Sequence, residues 1–415
     1  MERPIGAQPS HWPLIVTAAA LMMVTMGGRQ SLGLFVSPLN TSSGLGITTI
    51  SFAMAVAQFV WGAAQPIAGA VADRYGPGRV LAAGIVLMAA GAALTPLLFT
   101  TGPGLVFSIG LLIAAGSGAG SFSVLIGAAS QRLPASRRGM ASGVINAGGS
   151  FGQFVFAPLL QKLIAGFGWM GAMYSLALIT LAALPLAGLL RGRREHAEQA
   201  AAHARAEHPG REDRGMRHAL REAMGDRSYL LLHAGFFTCG FHIAFLVTHL
   251  PGEVALCGLS AEVASWSLAI IGLANIVGSL SAGWAVQRYR SKYVLFWMYA
   301  SRALLVALYL MAPKTATSFY IFAAGLGFTW LATVPPTAGV VGRLFGTRYL
   351  ATLFGLTLLT HQIGGFLGAW LGGLAISASG DYLWMWYADM ALAASAALCN
   401  LPIREPHPRL TGAAA

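Results

Sequence analysis

Gly69-Ala-Val-Ala-Asp-Arg-Tyr-Gly-Pro-Gly-Arg79 is the stretch on which the reading of this chain turns, because it lies between two apolar runs each long enough to cross a bilayer. Gly69 is expected to let two helices approach closely. Asp73 and Arg74 are placed to bond across to a neighbouring helix end. Gly76, Pro77 and Gly78 are suited to a tight reversal, because glycine supplies positive φ and proline fixes its own. Arg79 then anchors the following helix on the cytoplasmic side.

Working outward, composition places the whole chain in lipid. It is 56% hydrophobic and only 10% charged, with 52 glycines in 415 residues, too few polar side chains to coat a water-facing domain of this size. The three cysteines (Cys239, Cys257, Cys399) have neither disulfide nor metal spacing and read as small core residues. No metal, cofactor or catalytic Ser/His/Asp or phosphate-loop constellation is expected, so an enzyme is not the expectation. The first apolar run is too long for a signal sequence and lacks a cleavage site, so it is taken as helix 1.

Apolar runs of spanning length fall at about 13–39, 48–72, 79–100, 104–131, 139–163 and 168–190, then at about 229–255, 263–286, 293–312, 316–341, 351–377 and 382–401. Between the two sets, Arg191 to Arg227 carries nine arginines, seven acids and four histidines, the composition of a solvated linker. The expected organisation is a six-helix bundle over 1–190, a cytoplasmic linker over 191–228, a second six-helix bundle over 229–403 and a cytoplasmic tail over 404–415. Met216 to Met224 has the pattern of a short amphipathic helix. The formal charge of +12 is topological rather than a sign of nucleic-acid binding. Arg74, Arg79, Arg132, Arg137, Arg138, Arg288, Arg290, Lys292, Arg343 and Arg348 all fall in alternate loops, which puts both termini and the linker in the cytoplasm of a multi-pass inner-membrane protein.

The Gly69 loop resembles the signature loop between helices 2 and 3 of the major facilitator superfamily, with Gly69, Asp73, Arg74, Gly76 and Arg79 as its conformational motif. The second half echoes the first. Gly283-Trp-Ala-Val-Gln-Arg-Tyr-Arg-Ser-Lys292 occupies the matching place with Gln287 for Asp73, and Gly148-Gly-Ser-Phe-Gly152 is echoed by Gly364-Gly-Phe-Leu-Gly368. The resemblance implies an all-α fold of 12 transmembrane helices in two pseudo-symmetric bundles, with a substrate site near the midplane between them. It implies a secondary transporter, expected to be monomeric.

A charged residue within lipid needs a partner or a purpose, since each costs about 2.5 to 3.5 kcal/mol at a helix centre. Arg29 lies deep in helix 1, beside Gly27 and Gly28, which permit local unwinding and close approach of another group, and no carboxylate in the first-half helices is available to neutralise it. Two readings stand: a fixed cation for an anionic substrate, favoured by its planar fork, or a structural arginine on backbone carbonyls. Arg302 of helix 9 and Asp389 of helix 12 lie within about a turn in depth, so a structural ion pair is expected.

Gln58 with Gln65, Asn146 with Gln153, and Asn275 with Ser279 share helix faces, either as cavity lining or as interhelix glue. Helix 7 adds His242 and His249, and helix 11 adds His361 and Gln362. His242 and His361 are the proton-carrier candidates. His249 is placed nearer the outer end, as a gate or structural residue.

Phe236 to His242, Gly272 to Gly278 and Thr360 to Gly368 resemble bacterial members of the monocarboxylate and oxalate:formate branch. In that branch a basic residue in helix 1 and an arginine in helix 8, with an aspartate one turn before it, engage the carboxylate and the coupling proton. Arg29 matches the first, but Asn275 and Ser279 occupy the helix 8 positions. The expected cargo is therefore a small organic anion, a monocarboxylate, taken up with protons and bound by Arg29, Gln58, Gln65, Asn146, Gln153, His242, Asn275, Ser279, His361 and Gln362. Efflux of amphipathic compounds is the alternative reading.

Overall fold

The computed structural model describes residues 12–130, 135–190, 216–345 and 350–405, apart from some helical side chains such as those of Asp73, Arg74, Arg137, Arg138 and Gln287. The expectations for those side chains, for Arg132 and Arg348, for most of the linker and for the tail beyond 405 lie outside the described residues. Every regular element among the described residues is helical.

Twelve rods follow one another. In the first half they are α1 (Trp12–Gln30, carried on through a tight turn at Leu32–Phe35 and Val36–Ser43), α2 (Ile47–Tyr75), α3 (Pro77–Leu98), α4 (102–130), α5 (135–167) and α6 (169–189). After a linker helix, Met216–Gly225, come α7 (Arg227–Leu256), α8 (Ala261–Arg288), α9 (Ser291–Met311), α10 (316–345), α11 (Leu350–Ser379) and α12 (Leu383–Asn400). α5 runs into α6 across Gly168, whose φ of 70° turns the chain back. The helices turn apolar side chains to lipid as well as to one another, as membrane rods must.

The Gly76 reversal is as expected: at φ 92° it closes α2 and opens α3, with Pro77 at the first helical position. Gly69 departs from expectation. Among the described residues, a Cβ there would meet nothing within 4 Å, and the same is true of its counterpart Gly283. Both lie near the face from which the linker helix enters α7, called here the linker face, and there the two halves are parted, so no helix is close enough to need a glycine.

The close approaches occur where the two echoed glycine runs lie. A Cβ at Gly148 or Gly152 of α5 would collide with the backbone of Ala19 or Met23 in α1, and one at Gly364 or Gly368 of α11 with the backbone of Phe237 or Phe241 in α7. Small residues let these backbones pack directly, which is how helices associate without a hydrophobic drive between them. The pairing repeats with an offset of six helices: α1 on α5 matches α7 on α11, α2 on α4 matches α8 on α10, and α2 on α11 matches α8 on α5. The last two pairs cross between the halves.

The expected ion pair between Arg302 and Asp389 is not made. Asp389 instead pairs with His242 of α7 through Nδ1 of the imidazole. Arg302 donates from Nε to the Thr329 hydroxyl at 3.2 Å, from Nη1 to the Cys239 sulfur at 3.3 Å, and from Nη2 to the carbonyls of Thr329 and Trp330. The reason lies in α10, which breaks between Thr329 and Val334. Across the break the Val334 N–H turns to the Leu331 carbonyl, three residues back, and so leaves the Trp330 carbonyl, four back, without it. The freed carbonyls need donors in the membrane interior, and the arginine fork supplies them.

Candidate substrate cavity

Between the halves lies a cavity of about 530 Å³. Its walls come from the linker-face halves of α2, α4, α5, α8, α10 and α11, together with α1 and α7 near mid-membrane. At the opposite, distal face the halves meet. Thr48 of α2 bonds the Ser377 hydroxyl at 2.7 Å and the Gly373 carbonyl at 3.2 Å on α11. Phe52 sets its ring edge-on against Phe366 and Trp370, with centroids 6.0 and 5.9 Å away. Gly33 lies against the Val247 carbonyl, with no room for a side chain. The cavity is therefore closed distally and faces the linker side.

Arg29 is set in its wall by α1, which leaves the regular helix two residues later at the Leu32–Phe35 turn. Gly27 and Gly28 serve close packing rather than unwinding, the first against Gly152 and Phe156 and the second against Met88 and Leu176. The guanidinium donates from Nη1 to Gln58 Oε1 at 2.8 Å and lies 4.2 Å over the Trp61 ring. Nε has no hydrogen-bond partner, and no backbone carbonyl accepts from this arginine among the described residues. Among the described residues, the cavity lining contains no Asp, Glu or Lys. Gln58 and Trp61 orient the fork by one hydrogen bond and one ring face without neutralising its charge.

Of the other expected site residues, Gln58, Gln65, Asn146, Ser279, His361 and Gln362 line the cavity with Arg29. Gln362 packs its stem on Gly62 and bonds Nδ1 of His361 at 3.2 Å. Three do not line it. Asn275 is a bracket between the halves, donating to Ser150 Oγ at 2.8 Å while its oxygen accepts from the Leu331 N–H at 3.0 Å and from Ser279. It is interhelix glue because the α10 break brings an unpaired N–H within its reach. Gln153 is fully buried distal to the cavity, beside Gly272 where α5 crosses α8. His242 is fully buried inside the second half, turned to Asp389 rather than to the cavity. His249, expected as gate or structural, bonds the Ala369 carbonyl at 2.7 Å and packs on Tyr382.

Missing from the sequence reading are Gln30, Ser150 and the aromatic walls Trp61, Phe122, Phe236, Trp330 and Phe354. Only Trp61 carried a signal, since it falls on the face shared by Gln58 and Gln65. Among the described residues the site thus joins one cation, a few neutral hydrogen-bonding groups and flat apolar walls, a set that can hold a monoanion with an organic body.

The family model of the Major Facilitator Superfamily matches residues 18–369 and 254–415. Monocarboxylate transporter 13 of Rattus norvegicus is 28% identical over 401 residues, covering 94% of this chain and 89% of its own. The oxalate:formate antiporter of Oxalobacter formigenes is 24% identical over 393 residues, covering 91% of this chain and 87% of its own. Among solved structures, a D-xylose-proton symporter superposes with a TM-score of 0.75 at 17% identity, over 96% of this chain and 98% of that one, a likeness of fold alone.

Proposed function

The chain belongs to the major facilitator superfamily, and from that premise we propose that this transporter carries a small organic anion, a monocarboxylate, by alternating access with proton-coupled uptake. The observation that carries the reading is Arg29: a buried cation in the wall of the cavity, with no acidic residue among the described residues that line the space. The carboxylate of a substrate is the missing counter-ion. Similarity to a monocarboxylate transporter and to an oxalate:formate antiporter supports the same cargo class.

The linker face is the cytoplasmic one in this reading, because the basic residues cluster there, including Arg79, Arg288, Arg290, Lys292 and Arg343. The closed distal face then fronts the periplasm, and the conformation is the one that releases an imported substrate. Both termini are cytoplasmic, and the six helices on either side of the linker are the two units that rock about the site. The carrier works as a monomer, with the cavity complete within one chain.

A second reading, efflux of amphipathic compounds, draws on Trp61, Phe122, Phe236, Trp330 and Phe354, which give the cavity more aromatic wall than a short acid needs. One experiment separates the two. Purified protein is screened for thermal stabilisation by mono- and dicarboxylates and by uncharged amphipaths, in wild type and in Arg29→Gln. Stabilisation by a monocarboxylate that vanishes in the variant supports the anion reading. Stabilisation by uncharged amphipaths alone, unchanged in the variant, supports efflux.

A further inference from the structure

Inside the second half, a cluster that the cavity does not use holds two titratable groups in mid-membrane. His242 of α7 and Asp389 of α12 are both fully buried and share one hydrogen bond, between Nδ1 and Oδ2. With the proton of the neutral imidazole on Nδ1, facing the carboxylate, Nε2 is left as a free base, and it has no hydrogen-bond partner. Asp389 Oδ1 is likewise unbonded.

The groups packed around this pair are few. On α7, Cys239 precedes His242 by one turn and bonds Arg302 of α9 and Thr333 of α10. Tyr299 of α9 lies under Arg302, its ring 5.4 Å from the guanidinium. Trp386 stands one turn from Asp389 on α12. On the cavity side, His361 of α11 packs its backbone on Gly240. The remaining neighbour, Trp330 of α10, is shared: it lines the cavity and sets its ring edge-on to His242, with centroids 6.2 Å apart.

The charges explain what such a pair can do. With His242 neutral, Arg302 and Asp389 sum to zero, and the cluster is at ease in lipid. One proton on Nε2 leaves the cluster with a net positive charge, which the membrane interior disfavours. An anion in the cavity, one tryptophan ring away, offsets that charge, while the proton in turn favours the anion. This mutual assistance is a coupling free energy between two sites, and it is reciprocal.

We propose that the His242–Asp389 pair is the proton-binding site of this carrier, loading one proton per substrate anion on the far side of Trp330. Nε2 takes a proton from water as the anion seats on Arg29, the imidazolium stays bonded to the Asp389 carboxylate, and the same proton leaves when the anion does. No other bond is made or broken. The cargo in this scheme rests on the organic-anion reading; the titration of the pair does not.

The test has two arms. In protein labelled with ¹⁵N-histidine, the resonance missing from His242→Gln identifies His242. On acidification across the pH range the folded protein tolerates it should pass from the neutral to the imidazolium form, and Asp389→Asn should alter that response. A His242 signal that stays in one protonation state across that range overturns the proposal, whatever the substrate.

In proteoliposomes, Asp389→Asn and His242→Gln should lower the ratio of pH-gradient-driven accumulation to counterflow at saturating carboxylate by about tenfold or more, since exchange moves no net proton. Variants that accumulate as the wild type does also overturn it. If either fails to insert, His242→Asn or Asp389→Glu takes its place, and the wild-type titration stands by itself. Wild-type protein that moves no carboxylate would refute the organic-anion reading, and the resonance would still decide the proton site.

Discussion

Replacing Arg29 tests the cavity most directly, and the structure sets the size of the effect. Nη1 is engaged by Gln58 at 2.8 Å, and a carboxylate that meets the guanidinium side-on takes two of its N–H groups. Two hydrogen bonds to charged groups are then at stake. At about 1.5 kcal/mol each, the lower end for such bonds, they contribute about 3 kcal/mol. Arg29→Gln should therefore weaken carboxylate binding by about 100-fold. Arg29→Lys keeps the charge and one bond, so its loss should be about tenfold.

Folding should survive both changes. The Gln variant loses a contact with Trp61 worth about 1 kcal/mol and one hydrogen bond from a charged group worth about 1.5 kcal/mol. It also escapes the cost of a buried charge, about 2.5 to 3.5 kcal/mol. The thermal midpoint without ligand should stay level or rise. The assay is titration of a labelled monocarboxylate into purified protein, followed by uptake into proteoliposomes. An Arg29→Gln protein that binds the carboxylate as tightly as wild type would refute the reasoning at its first step.

Three further outcomes are expected. Arg302→Met should lower stability by about 3 kcal/mol by leaving the carbonyls of Thr329 and Trp330 without a donor, and adding Asp389→Leu, although it removes the charge left uncompensated, should not restore the donors or the full stability; complete recovery in that double variant on thermal melting would reinstate an Arg302–Asp389 pair. Glu405 accepts from the N–H groups of Ser291 and Lys292 at 3.0 and 2.8 Å and pairs with Arg343, so Glu405→Ala should cost about 1 to 2 kcal/mol through a lost helix cap, and an unchanged melting curve would dismiss that role. Thr48→Cys with Ser377→Cys should form a disulfide under oxidant, since the two hydroxyls lie 2.7 Å apart. Uptake should stop and return with reductant; full uptake in the cross-linked protein would mean that the distal face need not open.

The features legible in the sequence are those that depend on position along a helix. Spanning length and the glycine runs at 148–152 and 364–368 announced twelve helices and their repeat, and both runs meet their partner backbones. Rotation about the helix axis was much harder to read. Rods that are apolar on every side have no face that composition can identify. Arg302 and Asp389 were matched in depth, but the arginine turns to the α10 break and the aspartate to His242. The same limit separates Asn146, which lines the cavity, from Gln153, two turns on and buried beyond it. Aromatic walls such as Phe236 and Trp330 were silent, since in lipid a cavity wall and a packing residue have the same composition. Arg29 was found because an unneutralised charge asks for an explanation on any face.

The distal closure has a thermodynamic character of its own. Among the described residues it consists of a hydroxyl pair, ring edges and a glycine against a carbonyl, with no ion pair crossing between the halves. Coulomb attraction is therefore not what holds this door, and raising the ionic strength should leave its opening equilibrium nearly untouched. Parting Phe52 from Phe366 and Trp370 exposes apolar surface instead, which carries a positive heat-capacity change. The balance between the closed and open forms should bend with temperature, and a carrier with such a door is governed by warmth and by the surrounding lipid rather than by salt.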